Sequence, residues 1–502
     1  MDGEGHAVVI GSGTAGLTAA RVLARYMNRV TVIERDRTPR GTERRRGIPQ
    51  ARHTHSLMPA AEAGLERLFP GIGRDLTTAG AVRVRMARDM LVHGPAGWHA
   101  PSASPATFLS AGRDLIDSVI RTRLLANANV RFLHGHDVVA LEPGRNDTVT
   151  GVWARARVTA DGRSGAVRRD RGTGGTWGAP ELLPAEFVVD ASGSASPAPR
   201  WLRELGYAPP QESVVAAHAS YASTLLAPPV GHIASWKSLL LLGAPGSPLQ
   251  AQLNPVEGGR WSLTLRCGEG MPLPTDHLSL IAATAALSHP LLHDVTAAAE
   301  PLGPVYTCTA TENRWRHYER LRHWPDQFLV LGDALATLDP AHGQGITLAV
   351  QGALTLDHLL DSHGTTTGLS YRLRRAIAHQ LSPTWRTSTQ NLKLARPHTS
   401  TTSAAGGLRG RLARRSAARV EAAATTSEHA ATLLLEQWQA LAPRGPLGPR
   451  ALWAARVRAP VTDAPLPSAS AGPSDGTRRS TARPPRPALG RNSPLRNAPS
   501  RP

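Results

Sequence analysis

Short blocks of consecutive apolar residues recur along the first two thirds of the chain, and several end in glycine or an acid. The blocks at 7–11, 29–34, 187–193 and 328–333 are AVVIG, RVTVIE, FVVDASG and FLVLGD. Unbroken apolar runs of this length are typical of parallel strands that are buried on both faces. After the first block, apolar residues recur with helical spacing over 17–24. The pattern therefore predicts an α/β fold that opens with a strand–helix–strand unit.

This first unit carries the pattern G-x-G-x-x-G at Gly11, Gly13 and Gly16. In such a unit the first glycine makes a tight turn, the second lets a pyrophosphate approach the backbone, and the third lets the helix pack closely on the strand. The free N–H groups of the helix point toward the phosphates. Glu34 ends the second strand, where its carboxylate can accept both ribose hydroxyls and would repel a 2′-phosphate. The unit predicts FAD or NAD rather than NADP.

The later segment LGDALATLDPAHGQGIT, residues 331–347, decides between these two cofactors. Asp333 follows a predicted strand, where a carboxylate can bind the ribityl hydroxyls of a long cofactor, whereas a dehydrogenase using NAD needs no such second acid. Gly343 and Gly345 then lead into a helix. The N-terminus of that helix can stabilise the negative charge that collects on the pyrimidine edge of a reduced flavin. The sequence therefore predicts FAD.

Composition and charge restrict the surroundings of the protein. Its 502 residues carry a formal net charge of +19, and part of the excess lies at 461–502, the end of a Pro-, Arg- and Ser-rich tail, where no aromatic residues are interleaved. Such a tail has no stacking platform for bases, so we predict a disordered tail and no nucleic-acid partner. Two cysteines, no signal peptide and no apolar run of membrane-spanning length predict a cytoplasmic protein without stable membrane insertion. The sequence indicates no particular oligomeric state.

Several segments together resemble the class A flavoprotein monooxygenases, the para-hydroxybenzoate hydroxylase superfamily. These segments are GSGTAG followed by ERD, AGRDLIDSVIRTRL, VVDASG and LGDALATLDPAHGQG. Longer stretches, including RRGIPQARHTHSLMPAAEAGLERLFPG and ENRWRHYERLRHWPDQFLVLGDAL, are more narrowly similar to the actinobacterial polyether epoxidases of the monensin and lasalocid type. The similarity keeps the same order over roughly residues 5–360.

The resemblance implies a set of cofactor-binding residues, while the flavin carries the chemistry and no catalytic side chain or metal ligand is assigned. The implied residues are Gly11, Gly13, Thr14, Ala15, Gly16, Glu34 and Arg35 for the ADP half, Arg52 and Arg113 near the flavin or its pyrophosphate, Asp190 and Gly193 for FAD and, transiently, NADPH, Gly332 and Asp333 for the ribityl chain, and Pro340, Gly343, Gly345 and Ile346 beside the ring. One departure is visible at Asp339, where the epoxidases usually have Asn before Pro. An extra carboxylate there would disfavour the anionic form of the reduced flavin.

The resemblance also implies the domain organisation. A discontinuous Rossmann-like FAD-binding domain would carry an inserted antiparallel sheet for the substrate, C-terminal helices and the disordered tail. The expected boundaries are 1–75, 105–205 and 305–365 for the FAD-binding domain, 76–104 and 206–304 for the sheet, 366–440 for the helices and 441–502 for the tail. The alternating segment GRWSLTLRC supports a strand within the inserted sheet.

The implied activity is that of an FAD- and NAD(P)H-dependent monooxygenase. It would use O₂ to epoxidise an alkene of a polyketide or terpenoid in antibiotic biosynthesis through a C4a-hydroperoxyflavin, and hydroxylation of an aromatic substrate is the alternative. A halogenase is disfavoured, because W-x-W-x-I-P is missing and Lys237 and Lys393 are the only lysines. The intact glycines and acids disfavour a non-catalytic basic binding protein. We expect a small apolar substrate, with Trp98, Trp236 and Trp261 either lining its pocket or packing in the core.

Overall fold

The structure, a computed structural model, describes residues 5–36, 55–158, 168–169, 176–216, 218–243, 248–309, 312–340, 343–365, 367–395 and 408–438. All of them belong to the unit Met1–Ala464 of the chain. Arg52 and the predicted tail at 441–502 lie outside the described residues.

Helices and strands alternate in the first third of the chain, strands dominate the middle, and helices end the described part. The helices are α1 (Thr14–Leu23), α2 (Pro59–Leu68), α3 (Ile72–Thr78), α4 (Arg113–Leu125), α5 (Ala198–Glu204), α6 (His277–Thr284), α7 (Leu291–Ala297), α8 (Gly345–His363), α9 (Leu369–Ala395), α10 (Leu408–Ala424) and α11 (Glu428–Trp438). The strands are β1 (His6–Ile10), β2 (Arg29–Glu34), β3 (Ser56–Leu57), β4 (Val82–Arg85), β5 (Met90–Gly94), β6 (Gly97–Trp98), β7 (Thr107–Ser110), β8 (Val130–His134), β9 (His136–Pro143), β10 (Val149–Ala156), β11 (Arg168–Arg169), β12 (Thr176–Trp177), β13 (Glu181–Pro184), β14 (Phe187–Asp190), β15 (Glu212–Ala216), β16 (Ala219–Ala227), β17 (Ser238–Leu241), β18 (Leu249–Val256), β19 (Arg260–Gly268), β20 (Glu300–Pro301), β21 (Tyr306–Cys308), β22 (Glu312–Arg316), β23 (Phe328–Val330) and β24 (Ala336–Thr337).

The strand–helix–strand unit predicted at the start of the chain lies at the centre of a five-stranded parallel sheet. The strand order is β23-β14-β1-β2-β8, so β1 pairs with β14 on one side and β2 on the other. Every residue of β1, β14 and β23 is buried. Burial of both faces explains why these strands are unbroken apolar blocks in the sequence. The apolar blocks therefore form the parallel sheet that the sequence predicts.

Apolar side chains cover this sheet on both sides. Alternate residues of β1 point to opposite faces, so Ala7 and Val9 join the core with α1, α4 and α8, while Val8 and Ile10 join the core with α5 and α9. Parallel strands end at a common edge of the sheet. The turns that follow β1, β14 and β23 therefore meet at one edge, and this edge carries the predicted glycine and acidic positions.

A second, eight-stranded sheet has two chemically different faces. Its main path is β20-β16-β19-β18-β17-β5-β6, and β21 also pairs with β16. One face, called here the apolar face, packs against α6 and α7 and includes Ala222, Trp261, Leu263, Leu265 and Leu253. The other face, called here the polar face, carries Tyr221, Ser223, Gln250, Gln252, Thr264 and Arg266 on β16, β18 and β19. Toward β17 and β5 the same face becomes apolar, with Leu240, Met90 and Val92.

Smaller sheets and the last helices complete the described chain. The small sheets are ordered β15-β22-β24, β3-β7-β4 and β13-β10-β9, and β11 pairs with β12. A parallel Rossmann-like sheet, antiparallel sheets and C-terminal helices confirm the predicted fold class, while the domain boundaries stay a prediction. Within the described ranges, no helix has both the length and the hydropathy that a membrane span requires.

Candidate active site

The glycine turn after β1 has the geometry that its three glycines require. Gly11 has a φ of 96°, and a Cβ atom there would lie 2.5 Å from the carbonyl oxygen of Ala191. A Cβ atom at Gly16 would lie 1.9 Å from the carbonyl oxygen of Gly11, so α1 can pack this closely only through a glycine. At Gly13, in contrast, the nearest atom would be an Arg113 nitrogen at 3.9 Å. The turn is closed against the protein at Gly11 and Gly16 and open at Gly13, where a phosphate would approach.

The start of α1 is tied to the start of α4 by a polar network. The Thr14 hydroxyl donates to Asp117 Oδ1 at 3.0 Å, and Arg113 donates from Nη2 to Thr14 Oγ1 at 2.8 Å and from Nε to Asp117 Oδ1 at 3.0 Å. The network holds the Arg113 guanidinium beside Gly13 at the glycine turn. Sequence reasoning missed Asp117. Its spacing of four residues from Arg113 within α4 was the available signal.

Glu34 fixes the end of β2 next to the same turn. Its Oε2 accepts the Ser12 backbone N–H at 3.0 Å and the Ser12 hydroxyl at 2.6 Å, and its Oε1 accepts the Asp36 N–H at 3.0 Å. The carboxylate therefore ties the glycine turn to the end of β2, and its role toward an adenosine ribose stays a prediction. Arg35 is exposed and Ala15 is half-buried.

Asp333 reaches the same region from the far end of the chain. It lies in a short 3₁₀ turn, Gly332–Ala334, directly after β23, and a Cβ atom at Gly332 would lie 2.6 Å from Ala15 Cβ. Burial raises the pKa of the Asp333 carboxyl, and the nearby Arg113 charge offsets part of that increase. We call the convergence of Gly13, Thr14, Arg113 and Asp333 the cradle.

Gly343 and Gly345, at the start of α8, present bare backbone. Gly343 has a φ of 60°, Gly345 opens α8, and a Cβ atom at either position would meet nothing within 4 Å. The first N–H groups of α8 have no partner within the helix, so its positive end faces this open space. Pro340 is exposed, and Ile346 is buried in the core behind the helix start.

Asp190 and Gly193 lie at the same sheet edge, but the Asp190 carboxylate bonds within its own turn. Asp190 is fully buried, its Oδ1 accepts the Ser192 N–H at 3.0 Å, and its Oδ2 accepts the Ser196 hydroxyl at 2.5 Å. Burial raises the pKa of Asp190, and these hydrogen bonds counteract the increase. The local role of Asp190 is to shape the turn that contains Gly193, and a role of either residue toward FAD or NADPH stays a prediction.

Arg316 is a buried residue to which sequence reasoning gave no role. Its Nη1 donates to the Ala334 carbonyl at 2.9 Å, and its Nη2 donates to the Ser194 carbonyl at 2.8 Å. Its Nε donates to Glu212 Oε1 at 3.1 Å. One side chain thus joins the turn after β14 to the turn after β23. An arginine between aromatic residues in the segment RWRHY was the signal available in the sequence.

The polar face of the eight-stranded sheet meets the turn that precedes α8. The Tyr221 hydroxyl donates to Asp339 Oδ1, and Arg266 Nη2 lies 3.7 Å from Asp339 Oδ2. Asp339 is buried, and its backbone N–H donates to Asn313 Oδ1 at 2.6 Å. The polar face, rather than the apolar face, therefore borders the cradle side of the molecule.

The three tryptophans predicted either to line the substrate pocket or to pack in the core lie in or beside the core at the apolar face. Trp236 and Trp261 stack with ring centroids 6.5 Å apart in the core at the apolar face. Trp98 packs at the margin of the same core, with its ring 4.9 Å from that of His93. Core packing is therefore the role that the structure shows for these side chains.

Similarity to known proteins covers most of the chain. A family model described as an FAD binding domain matches residues 4–380. Protein Rv3254 of Mycobacterium tuberculosis (strain ATCC 25618 / H37Rv) is 31% identical over 396 residues, which cover 76% of this chain and 78% of that protein. A kynurenine 3-monooxygenase of Salinispora tropica is 26% identical over 381 residues, which cover 71% of this chain and 72% of that enzyme. The chain belongs to the FAD-dependent monooxygenase family.

A solved structure agrees with this family at the level of the fold. PqsL, a probable FAD-dependent monooxygenase from Pseudomonas aeruginosa, superposes with a TM-score of 0.54 at 17% identity and covers 81% of this chain and 98% of its own. Identity this low shows a common fold alone.

This monooxygenase family member is an oxidoreductase with FAD as its cofactor, and monooxygenases of its class use NAD(P)H and O₂. The cradle fits FAD: Gly13, Gly343 and Gly345 leave open space, and Arg113 and Asp333 offer a cation and a carboxylate beside it. The assignment of individual residues to parts of FAD stays a prediction. Within the described ranges, no group of three or more His, Cys, Asp or Glu is placed to hold a metal ion.

Proposed function

We propose that this monooxygenase transfers one oxygen atom from O₂ to a carbon–carbon double bond of a polyketide or terpenoid that also carries oxygen functions. Bound FAD, once reduced by NAD(P)H, supplies the activated oxygen. The polar face orients the substrate, and the reaction belongs to secondary metabolism, including antibiotic biosynthesis, in the cytoplasm. The resemblance to polyether epoxidases supports the alkene, and the polar face supports the oxygen functions.

The proposed substrate class rests on the residues of the polar face. Gln250, Gln252, Thr264 and Arg266 are half-buried on neighbouring strands, on the same side as Tyr221, which reaches the turn before α8. The Thr264 hydroxyl is bonded to Ser223 and the Arg266 guanidinium lies beside Asp339, whereas an entirely apolar ligand would desolvate the amides of Gln250 and Gln252 without offering them hydrogen bonds. We therefore propose that the predicted apolar substrate also carries hydrogen-bonding groups along one side.

The Asp339 carboxylate, next to the polar face, supports an alkene as the oxygen acceptor. Epoxidation removes no proton from the substrate, whereas hydroxylation of a phenol is favoured by a base that accepts the phenolic proton. Asp339 is the buried carboxylate next to the polar face, and it already accepts the Tyr221 hydroxyl and lies beside Arg266. The Asp339 carboxylate is thus already held by Tyr221 and Arg266, and the role of the polar face is to bind and orient the substrate.

Hydroxylation of an aromatic ring is the second candidate. The similarity to a kynurenine 3-monooxygenase over 381 residues favours it. An aromatic substrate with a polar side chain would also match the polar face. The two candidates differ in the product rather than in the cofactor requirement.

Isotope labelling separates the candidates. The FAD-loaded protein is incubated with NADPH under ¹⁸O₂, once with oxygenated polyene chains and once with kynurenine and other aminoaryl ketones. We expect one ¹⁸O atom in an epoxide, or in the diol or cyclic ether derived from it. A labelled phenol would establish the second candidate instead, and an oxygenated product without label, whose oxygen comes from water, would refute both. Parallel incubations without NADPH control for chemical oxidation.

A further inference from the structure

Asp339 connects two parts of the molecule that come from distant segments of the chain. It precedes Pro340 in the turn that leads to Gly343, Gly345 and α8, and its backbone N–H is held by Asn313 at 2.6 Å. Its side chain is 2% exposed and points to the polar face of the eight-stranded sheet. The carboxylate therefore lies between the cofactor turn and the substrate sheet.

Two residues of the polar face both contact the Asp339 carboxylate. Tyr221 and Arg266 are direct register partners on β16 and β19, so their side chains extend from the same face side by side. Tyr221 donates its hydroxyl to Oδ1, and Arg266 approaches Oδ2 at 3.7 Å. Burial and, next, the Asp339 charge raise the pKa of Tyr221, so the phenol stays protonated and acts as the donor.

We propose that Asp339, Tyr221 and Arg266 form a charge-balancing unit that positions the cofactor turn and sets the reduction potential of the bound FAD. Reduction of a flavin adds negative charge at its pyrimidine edge. A carboxylate beside that edge opposes the reduction, and a guanidinium beside it favours the reduction. Arg266 thus compensates for Asp339, while Tyr221 keeps the carboxylate directed at the sheet.

The proposal predicts shifts of opposite sign for the two charged residues. Asp339→Asn removes the negative charge and leaves Arg266, so the midpoint potential of bound FAD rises. Arg266→Gln removes the positive charge and leaves Asp339 bonded to Tyr221, so the midpoint potential falls. The double variant returns toward the value of the unaltered enzyme, and Tyr221→Phe gives a smaller fall because Asp339 loses its hydroxyl donor.

The experiment measures the midpoint potential of each FAD-loaded variant against a reference dye, without substrate. Lys237→Gln is the matched control, since this cation directly precedes β17 of the eight-stranded sheet but is 47% exposed and pairs with Asp89 at 3.1 Å. We expect no shift for this control. FAD stoichiometry and affinity are recorded for every variant, so that a loss of folding is recognised separately from a change in potential.

A purely structural role gives a different pattern. In that case every variant weakens FAD binding and the potentials of the loaded fraction stay together or move in one direction, which would overturn the proposal. If Asp339→Asn does not fold, Arg266→Gln decides alone, because it leaves the link between Tyr221 and Asp339 in place. A potential equal to that of the unaltered enzyme, or higher, in Arg266→Gln refutes the charge balance.

Discussion

The two faces of the eight-stranded sheet are formed by neighbouring residues of the same strands, yet they serve different purposes. Leu263 is fully buried against the core with α6 and α7, whereas the next residue, Thr264, is half-buried on the polar face. Thr264 hydrogen-bonds Ser223 at 2.7 Å, two residues from Tyr221. The comparison teaches that the alternation of side chains divides one strand between a face that packs in the core and the face that we propose for substrate recognition.

The largest effect that tests this comparison is the loss of an apolar side chain. Leu263→Ala leaves a cavity in the core of the apolar face and is expected to lower the free energy of unfolding by about 2–5 kcal/mol. Thr264→Ala, its neighbour on the opposite face, removes one hydrogen bond and is expected to cost about 1 kcal/mol. Urea unfolding of both variants measures the difference. Equal losses would mean that the two faces do not differ in their contribution to stability.

A second test asks whether FAD binding depends on the cradle rather than on either face of the eight-stranded sheet. Asp333→Ala removes a carboxylate from the cradle without opening a core cavity, because Asp333 lies in a turn at the sheet edge. A hydrogen bond to a charged group contributes about 1.5–3 kcal/mol, so the Kd for FAD is expected to rise about 10- to 100-fold. Flavin fluorescence titration measures it. Asp361→Ala, at an exposed position of α8, is the control and should leave the Kd unchanged.

A third test addresses recognition on the polar face. Gln252→Leu retains the size of the side chain and removes its amide, so a substrate that hydrogen-bonds there is expected to show a KM about 2- to 10-fold higher. The substrate is the one that acquires ¹⁸O in the labelling experiment. FAD affinity and the urea midpoint should stay close to those of the unaltered enzyme. An unchanged KM together with a lower urea midpoint would assign Gln252 to the core instead.

A fourth test concerns Asp89, directly before β5 of the eight-stranded sheet. Burial raises the pKa of Asp89, but hydrogen bonds from Arg85 and Lys237 outweigh it and lower that pKa to about 2. Because the folded pKa lies below the unfolded value of about 3.9, the stabilisation is complete above about pH 4 and is lost as the pH falls toward 2. Asp89→Asn should flatten this part of the curve of stability against pH. Parallel curves for the two proteins would contradict the assignment.

The arrangement of site residues could be predicted from the sequence where these residues lie close together along the chain, and not where they lie far apart. Gly11, Gly13, Gly16 and Glu34 lie within one strand–helix–strand unit, so their spacing alone indicates their arrangement. The contact between Tyr221 and Asp339 spans 118 positions, and no local pattern contains it.

The expectation about Trp236 and Trp261 left two roles open for a similar reason. An alternating strand pattern shows that two faces differ, but which face turns to the cofactor depends on the neighbouring elements. Arg52 lies outside the described residues and stays a prediction.

The cradle has a consequence for how the enzyme matures. Its residues come from three stretches of the chain, at Thr14, Arg113 and Asp333, and the adjoining turn extends to Gly345. A nascent polypeptide that ends before this last stretch lacks one side of the cradle, however well its first unit has folded. We therefore expect flavin loading to follow synthesis of the chain through Gly345 rather than to guide it. Once bound, FAD stabilises the assembled state by mass action, so the flavin supply of the cell also sets how long the finished enzyme survives.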